Sequence, residues 1–265
     1  MIELEFFHVD AFTSSIFGGN PACVIPLKEW LSDELLLKIA KENGLPETVF
    51  FIRYEDHFHI RWFTPDIEMD LCGHATLAAT YVLSTHLGFD EKIIRFESKS
   101  GLIEVEAENG RFTLALPIRE GKSESLPFDI YNSLSVKPDV VLKARDFMLV
   151  YENEQVIRDI QIDKSLFDRV NLGHGGVIFT APGDTVDFVS RFFTPQSTIF
   201  EDPVTGSAHC TLIPYWSKRL NKMQMKARQL SARVGDLECE LGENNVFVTG
   251  SAVLYSKGII SLPVQ

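Results

Sequence analysis

Alternating apolar and polar residues open the chain. Residues 2–12 follow a period of two, which predicts a half-buried strand, and residues 21–27 predict a second strand. Ser32 then offers an N-cap, acidic residues follow it, and Gly44 ends a stripe of leucine, isoleucine and alanine. These positions predict a helix that packs against a sheet.

Runs of β-branched and aromatic residues, separated by Gly, Asn, Asp and Pro, continue this pattern. They predict a mostly antiparallel meander with strands at 48–53, 57–63, 93–98, 101–108 and 111–116. Among them, residues 75–87 are apolar on nearly every side and stop at Gly88, which predicts a helix buried all round. The first half of the chain therefore predicts a sheet wrapped around a central helix.

The second half of the chain repeats the first. The sequence RWFTP at 61–65 returns as RFFTP at 191–195, an offset of 191 − 61 = 130 residues. Weaker matches flank it in the same order. A repeat of this length predicts two half-domains of one architecture, 1–117 and 128–265, joined by the polar linker 118–127, with the active site in the cleft between them.

The second copy of the central helix contains a proline. Pro214 falls about two turns into the helical pattern, where it removes a backbone N–H. We therefore expect it to kink the chain near Tyr215 and Trp216.

The net charge and the spacing of the cysteines argue against several classes of function. The 25 basic and 37 acidic residues give a net charge of −12, which repels nucleic acid and anionic lipid surfaces. No apolar run approaches the roughly 20 residues that span a bilayer, so we expect a cytoplasmic protein with no nucleic-acid or membrane partner. The four cysteines form no C-x-x-C pair, so we expect no metal site.

A glycine turn that leads into a helix follows each copy of the repeated strand. The turns are LCGHAT at 71–76 and EDPVTGSA at 201–208. Helix N-termini offer unpaired N–H groups and partial positive charge, so two of them facing one cleft would bind a carboxylate. One such glycine is usually a simple turn, but the duplication and the polar groups of His74, Asp202 and Ser207 favour an active site.

Glu47 follows Pro46 where a loop leads into an apolar strand. A carboxylate at the edge of a buried strand is a candidate general base. A solvated acid in a loop is the commoner outcome for a glutamate, and the residues by themselves leave both interpretations open.

These motifs together resemble those of the phenazine-biosynthesis-protein-like (PhzF-like) isomerases. The matching segments are DAFT at 10–13, GNPA at 19–22, PETVF at 46–50, CGHAT at 72–76 and EDPVTGSA at 201–208. The resemblance spans nearly the whole chain and implies an α/β (α+β) fold similar to that of diaminopimelate epimerase. In that fold two pseudo-symmetric half-domains each form a curled mixed β-sheet around a central helix, usually within a homodimer.

The resemblance also implies a cofactor-independent isomerase that moves a proton on a small carboxylic acid. By motif position, Glu47 would be the proton-shuttling acid/base, and His74 and Asp202 would orient the substrate and assist proton transfer. The substrate-binding residues would be Asn20, Cys72, Gly73, Gly206 and Ser207.

Two alternatives stay open at this point. The CGH sequence at 72–74 also resembles the cysteine-dependent racemases, epimerases and dehydratases of the same fold. The second thiol of such an enzyme is missing, because Pro203 or Thr205 aligns with Cys72 and Cys210 lies a helical turn further on. A non-catalytic protein that binds a small acid is the other alternative, although the complete set of polar residues argues against it.

Overall fold

The computed structural model describes residues 1–263, which form two compact units. The first unit comprises Met1–Ala115 and the described residues from Thr249 onward, and the second comprises Leu116–Val248. This grouping differs from the predicted half-domain at 128–265 at its C-terminal end. The last strand belongs to the first unit because it pairs with the first strand of the chain. This contact is long-range, so no local sequence pattern predicts it.

The strands and helices follow one another closely along the chain. The strands are β1 (Ile2–Ala11), β2 (Asn20–Leu27), β3 (Glu47–Arg53), β4 (Phe58–Phe63), β5 (Glu68–Met69), β6 (Ile93–Ser98), β7 (Gly101–Glu108), β8 (Arg111–Pro117), β9 (Lys122–Ser123), β10 (Val140–Lys143), β11 (Phe147–Val150), β12 (Val177–Pro182), β13 (Phe188–Phe193), β14 (Glu201–Asp202), β15 (Gln224–Gln229), β16 (Gly235–Leu241), β17 (Asn245–Gly250) and β18 (Ala252–Leu262). The helices are α1 (Asp33–Asn43), α2 (Gly73–His86), α3 (Phe128–Ser133), α4 (Glu154–Asp159), α5 (Lys164–Phe167) and α6 (His209–Leu220), with a 3₁₀ turn at Gly206–Ala208 just before α6. The strands and helices predicted in the first half lie within two residues of these bounds.

The two units share one order of strand pairing. In the first unit β2 pairs parallel with β3, β3 antiparallel with β4, and β4 parallel with β6. In the second unit β11 pairs parallel with β12, β12 antiparallel with β13, and β13 parallel with β15. Each unit therefore has a mixed sheet of the same topology, which confirms the predicted α+β fold with a repeated architecture.

Each unit has a buried helix at its centre. In α2 every residue from Gly73 to Thr80 is buried, as the all-round apolar pattern predicts. In α6 the fully buried Trp216 stacks on Phe188 of β13, with ring centroids 5.6 Å apart, and donates its indole N–H to Thr180. No helix of residues 1–263 is long and apolar enough to cross a membrane.

The repeated arginine makes the same ion pair in both units. Arg61 of β4 donates to Glu68 of β5, and Arg191 of β13 donates to Glu201 of β14, with Nε–Oε1 distances of 2.8 and 2.7 Å. Each pair holds a short returning strand against the repeated strand. Because β5 and β14 lead into the two glycine turns, the repeat positions both turns in the same way.

Pro214 lies inside α6 without ending the helix. A residue other than proline would donate its N–H to the carbonyl of Cys210, four positions earlier. The backbone N–H of Arg119 donates to that carbonyl instead, at 3.0 Å. The proline is therefore tolerated, and its missing hydrogen bond is replaced by one that ties the segment around Arg119 to α6.

Candidate active site

Glu47 and His74 form a buried pair in the first unit. Glu47 opens β3, His74 lies in the first turn of α2, and α2 packs against β2 and β3. The Oε2 atom of Glu47 lies 2.9 Å from Nε2 of His74, with the two side chains 12% and 3% exposed. The structure thus brings together two of the three predicted catalytic residues.

The opposite ring nitrogen of His74 faces two further predicted site residues. Its Nδ1 lies 3.1 Å from Nδ2 of Asn20 and 3.5 Å from Sγ of Cys72. An amide N–H and a thiol can both donate to Nδ1 of a neutral imidazole, which leaves the ring proton on Nε2. In that tautomer the protonated Nε2 lies next to Oε2 of Glu47, 2.9 Å from it.

Burial and charge act in opposite directions on His74. Burial disfavours the charged ring, but the sulfur of Cys72 and the carboxylate of Glu47 favour it, and the pKa of His74 is raised well above its usual value. Burial, reinforced by the charge of Glu47, raises the pKa of the Cys72 thiol to about 11. The thiol therefore stays protonated near neutral pH.

We expect the His74 ring to titrate above the ordinary histidine value of about 6.5, and Glu47→Gln to lower its pKa. A raised folded-state pKa contributes stability that is fully present below about pH 6.5 and is lost as the pH rises through the folded-state value. An NMR titration of the histidine ring signals measures the pKa in both proteins. His209, whose pKa burial lowers to about 4, provides an internal reference, and an unchanged His74 titration in the variant would contradict this account.

Glu47, Cys72 and His74 also form a group that could hold a metal ion, since their ligand atoms lie within 4.8 Å of one another. The sulfur, however, approaches Nδ1 of the ring, whereas the carboxylate approaches Nε2.

The glycine turn of the second unit is closed by a buried glutamine. The side chain of Gln229 accepts from the N–H of Thr205 at 2.8 Å and donates to the carbonyl of Asp202 at 2.7 Å. The Thr205 hydroxyl donates to the Asp202 carboxylate at 2.5 Å. These bonds fix the half-buried carboxylate of Asp202, the third predicted catalytic residue, in one orientation.

Thr205 takes the position in the second unit that Cys72 takes in the first. Cys72 is the N-cap of α2, and Thr205 is the N-cap of the 3₁₀ turn that continues into α6. The sequence left Pro203 and Thr205 as candidates for this place. The structure selects Thr205, a residue without a thiol, and Cys210 lies inside α6.

Gly235, the first residue of β16, packs against the glycine turn of the second unit. A Cβ atom at position 235 would lie 2.3 Å from Cγ2 of the fully buried Val204. We expect Gly235→Ala to displace Val204 and with it Asp202, two residues earlier in the turn, and to lower the free energy of unfolding by about 1–3 kcal/mol. Urea denaturation measures the change. The control Glu240→Ala, at an exposed position of the same strand, should leave stability within about 0.5 kcal/mol of wild type.

Sequence patterns missed Arg145 and Asp146, which lie just before β11. Nη2 of Arg145 donates to the hydroxyl of Ser207 at 2.9 Å and to the Asp146 carboxylate at 2.8 Å. Asp146 is 2% exposed and also accepts the N–H of Gly176 at 2.8 Å. The predicted substrate-binding Ser207 is therefore held by a charged pair that carries no motif.

Arg145 of the second unit has a counterpart in the first unit, Asn20. Asn20 begins β2 and contacts His74, the residue after the helix-start glycine. Arg145 precedes β11 and contacts Ser207, which also follows a helix-start glycine. Because β2 and β11 hold the same place in the two sheets, only the strand pairing relates Arg145 to Asn20.

Comparison with known proteins agrees with the fold. Residues 9–258 match the model of the PhzC-PhzF family, the phenazine biosynthesis-like proteins. An uncharacterized isomerase of Pseudomonas aeruginosa is 45% identical over 262 residues, covering 98% of this chain and 100% of the relative. A crystal structure of a PhzF-family protein from Enterococcus faecalis matches with a TM-score of 0.92 and 41% identity, covering 98% and 100% of the two chains.

A predicted epimerase of Pseudomonas aeruginosa has the same fold, with a TM-score of 0.76 at 18% identity over 98% of this chain and 100% of its own. The fold and the curated relatives define the class of the protein, which is an isomerase. The chain belongs to the PhzC-PhzF family, because the family model spans most of its length. The family and the enzyme class predicted from the motifs are thereby confirmed.

Proposed function

We propose that this isomerase moves a proton from one carbon atom of a small carboxylic acid to another, with Glu47 as the acid/base and without a cofactor. The carboxylate removes a proton from a carbon next to a conjugated acid or imine. The electron pair of the broken C–H bond shifts through the conjugated system, and the resulting carboxylic acid returns the proton at another carbon. Atoms and electrons balance within the substrate, so the step needs no oxidant or reductant.

The observation that carries this proposal is the buried contact of 2.9 Å between Glu47 and His74. A proton on a neighbouring ring nitrogen interacts more favourably with a carboxylate than with a neutral acid. His74, whose Nε2 lies 2.9 Å from Oε2 of Glu47, therefore orients the carboxylate before it accepts the substrate proton. His74 is in turn oriented by Asn20 at its other nitrogen.

Motif position is the basis for the roles of the second glycine turn in this proposal. Asp202 assists proton transfer as a second carboxylate, held by Thr205 and Gln229. Ser207 and the helix-start amides at Gly73 and Gly206 bind the substrate, because unpaired amides at helix starts favour anions. Cys72 contributes a neutral thiol, since burial keeps its pKa at about 11.

Proton NMR in deuterated water tests the proposal. Chelator-treated protein is incubated with a panel of small unsaturated, amino and hydroxy carboxylic acids. We expect a substrate C–H signal to disappear with wild type and to persist with Glu47→Gln. Exchange by Glu47→Gln at the wild-type rate would overturn the role of Glu47, and exchange that depends on Cys72 instead would support thiol chemistry. Binding of an acid with no exchange across the panel would favour the non-catalytic alternative.

A further inference from the structure

His209 is the first residue of α6, four positions after Thr205. Its ring is fully buried, and its Nδ1 lies 2.9 Å from the carbonyl oxygen of Thr205. Burial lowers the pKa of His209 to about 4, so the ring is neutral near neutral pH and carries a single N–H group. Because a carbonyl oxygen only accepts hydrogen bonds, that N–H is on Nδ1.

The other ring nitrogen of His209 makes no comparable bond. Nε2 is buried and has no hydrogen-bond partner among residues 1–263. A buried acceptor without a donor is unfavourable, so this nitrogen does not explain the presence of a histidine here. The bond from Nδ1 to Thr205 is therefore the polar interaction that the ring contributes.

Thr205 is held at each of its three polar groups. Its carbonyl accepts from His209, and its N–H donates to Oε1 of Gln229 at 2.8 Å. Nε2 of Gln229 also donates to the hydroxyl oxygen of Thr205, at 3.2 Å. His209 and Gln229 are both fully buried, so together they fix the backbone and the hydroxyl of Thr205.

The partners of Gln229 decide the direction of the next hydrogen bond. Its Nε2 also donates to the carbonyl of Asp202 at 2.7 Å, which identifies this atom as the amide donor. The Thr205 hydroxyl thus accepts from Gln229 and directs its own hydrogen to Oδ2 of Asp202, 2.5 Å away. A hydroxyl donor stabilises the carboxylate form of an acid over its neutral form.

We infer that His209 is a positioning residue of the active site, which acts through Thr205 to align the carboxylate of Asp202. The inference rests on the proposed function, because Asp202 enters it there as the second carboxylate that assists proton transfer. It adds a residue that lies outside the motifs, and it assigns Oδ2 of Asp202 the part of a hydrogen-bond acceptor.

The tautomer of His209 tests the first step without a substrate. In ¹⁵N-labelled protein near neutral pH, we expect NMR to show a protonated Nδ1 and an unprotonated Nε2 in this ring. A neutral ring protonated at Nε2 would overturn the inference, because Nδ1 would then have no proton to donate to Thr205.

Two variants of His209 test the effect on the reaction, with 3-butenoate as the probe. Its isomerisation to crotonate moves a proton from C2 to C4. We expect His209→Leu, which lacks the N–H, to lower kcat by about 10- to 100-fold and to change KM by less than about threefold, because Asp202 is misaligned. His209→Asn offers an amide N–H in place of Nδ1–H and should recover most of the loss.

The carboxyl ¹³C signal of Asp202 follows the same variants without a substrate. It should move in His209→Leu and return towards its wild-type position in His209→Asn. Thr205→Val removes the hydroxyl through which His209 acts. Adding His209→Leu to Thr205→Val should therefore lower kcat by less than about a further threefold, whereas independent effects would multiply.

The control variant is Trp216→Phe. Trp216 also lies in α6, contacts the same Phe188 ring as His209, and loses one buried N–H donor in the variant. It should lower stability, as His209→Leu does, but leave kcat and the Asp202 signal at their wild-type values. Equal losses of kcat in the two variants, or effects of His209→Leu and Thr205→Val that multiply, would overturn the inference.

Failure of the proposed function would give a different result. Conversion of 3-butenoate by Glu47→Gln at the wild-type rate would remove the role of Glu47 and leave that of His209. Conversion that depends on Glu47, together with a wild-type kcat in His209→Leu, would remove only the role of His209. If wild type leaves 3-butenoate unchanged, the Asp202 signal decides, and an unchanged signal in His209→Leu overturns the inference.

Discussion

Glu47→Gln is expected to slow turnover of the substrate by about 100- to 10,000-fold, the contribution typical of a positioned general acid/base. Glutamine has nearly the same shape and keeps an oxygen that can lie beside Nε2 of His74, so the site should keep its geometry. It cannot take up a proton from carbon. The loss should therefore appear in kcat, with KM changed by less than about threefold, because the interaction that is removed acts only in the transition state.

Two further variants make this prediction specific. Glu55→Gln removes a glutamate from an exposed loop of the same unit and should retain wild-type kcat. Glu47→Asp keeps a carboxylate but shortens its reach, so its kcat should lie between those of wild type and Glu47→Gln. A wild-type kcat in Glu47→Gln would place the acid/base elsewhere.

Asp146→Ala is expected to lower the free energy of unfolding by about 3 kcal/mol, because it leaves a mostly buried guanidinium without its carboxylate. Arg145 is 17% exposed and Asp146 is 2% exposed, so water replaces the lost partner poorly. The substitution also removes the acceptor of the Gly176 N–H, at 2.8 Å. Urea denaturation followed by the fluorescence of Trp216, the tryptophan of this unit, measures the change.

The matched control for this prediction is Asp236→Ala. Asp236 also pairs with an arginine, Arg228, but its side chain is 67% exposed, so the loss should stay below about 1 kcal/mol. The double variant Arg145→Met/Asp146→Ala should be more stable than Asp146→Ala, because it removes the mostly buried guanidinium together with the carboxylate that it contacts. Equal effects of Asp146→Ala and Asp236→Ala would show that the buried pair contributes nothing beyond a surface pair.

Local signals in the sequence were sufficient to predict most helices and strands of the first unit. The hydroxyl of Ser32 caps α1 by accepting from the N–H of Leu35, and Gly44 ends that helix with φ at 60°. Such signals depend on neighbours within a few residues, so the chain displays them before it folds. The repeat of 130 residues was equally visible, because duplication preserves sequence order.

The candidate site was predictable only where it carries a motif. Glu47, His74, Asp202 and Ser207 were selected by their motifs and their turns, and the structure describes the partners of each. The same holds for the fold, since Arg119 carries no motif and its place depends on a carbonyl 91 positions away (210 − 119 = 91) that Pro214 leaves open. A helical pattern that contains proline predicts a kink, but it does not identify the donor that will compensate.

The sequence by itself determined the family, the repeated architecture and the residues that carry its motifs. Periodicity, caps and motifs depend on residues close together in the chain, and the repeat is visible by direct comparison of the two halves. Only the tertiary structure decided that Asn20 contacts His74 across 54 residues and that Arg145 contacts Ser207 across 62. It also decided that β18 pairs with β1. The physical reason is that strand pairing and burial select these partners, and both depend on the whole chain rather than on its local pattern.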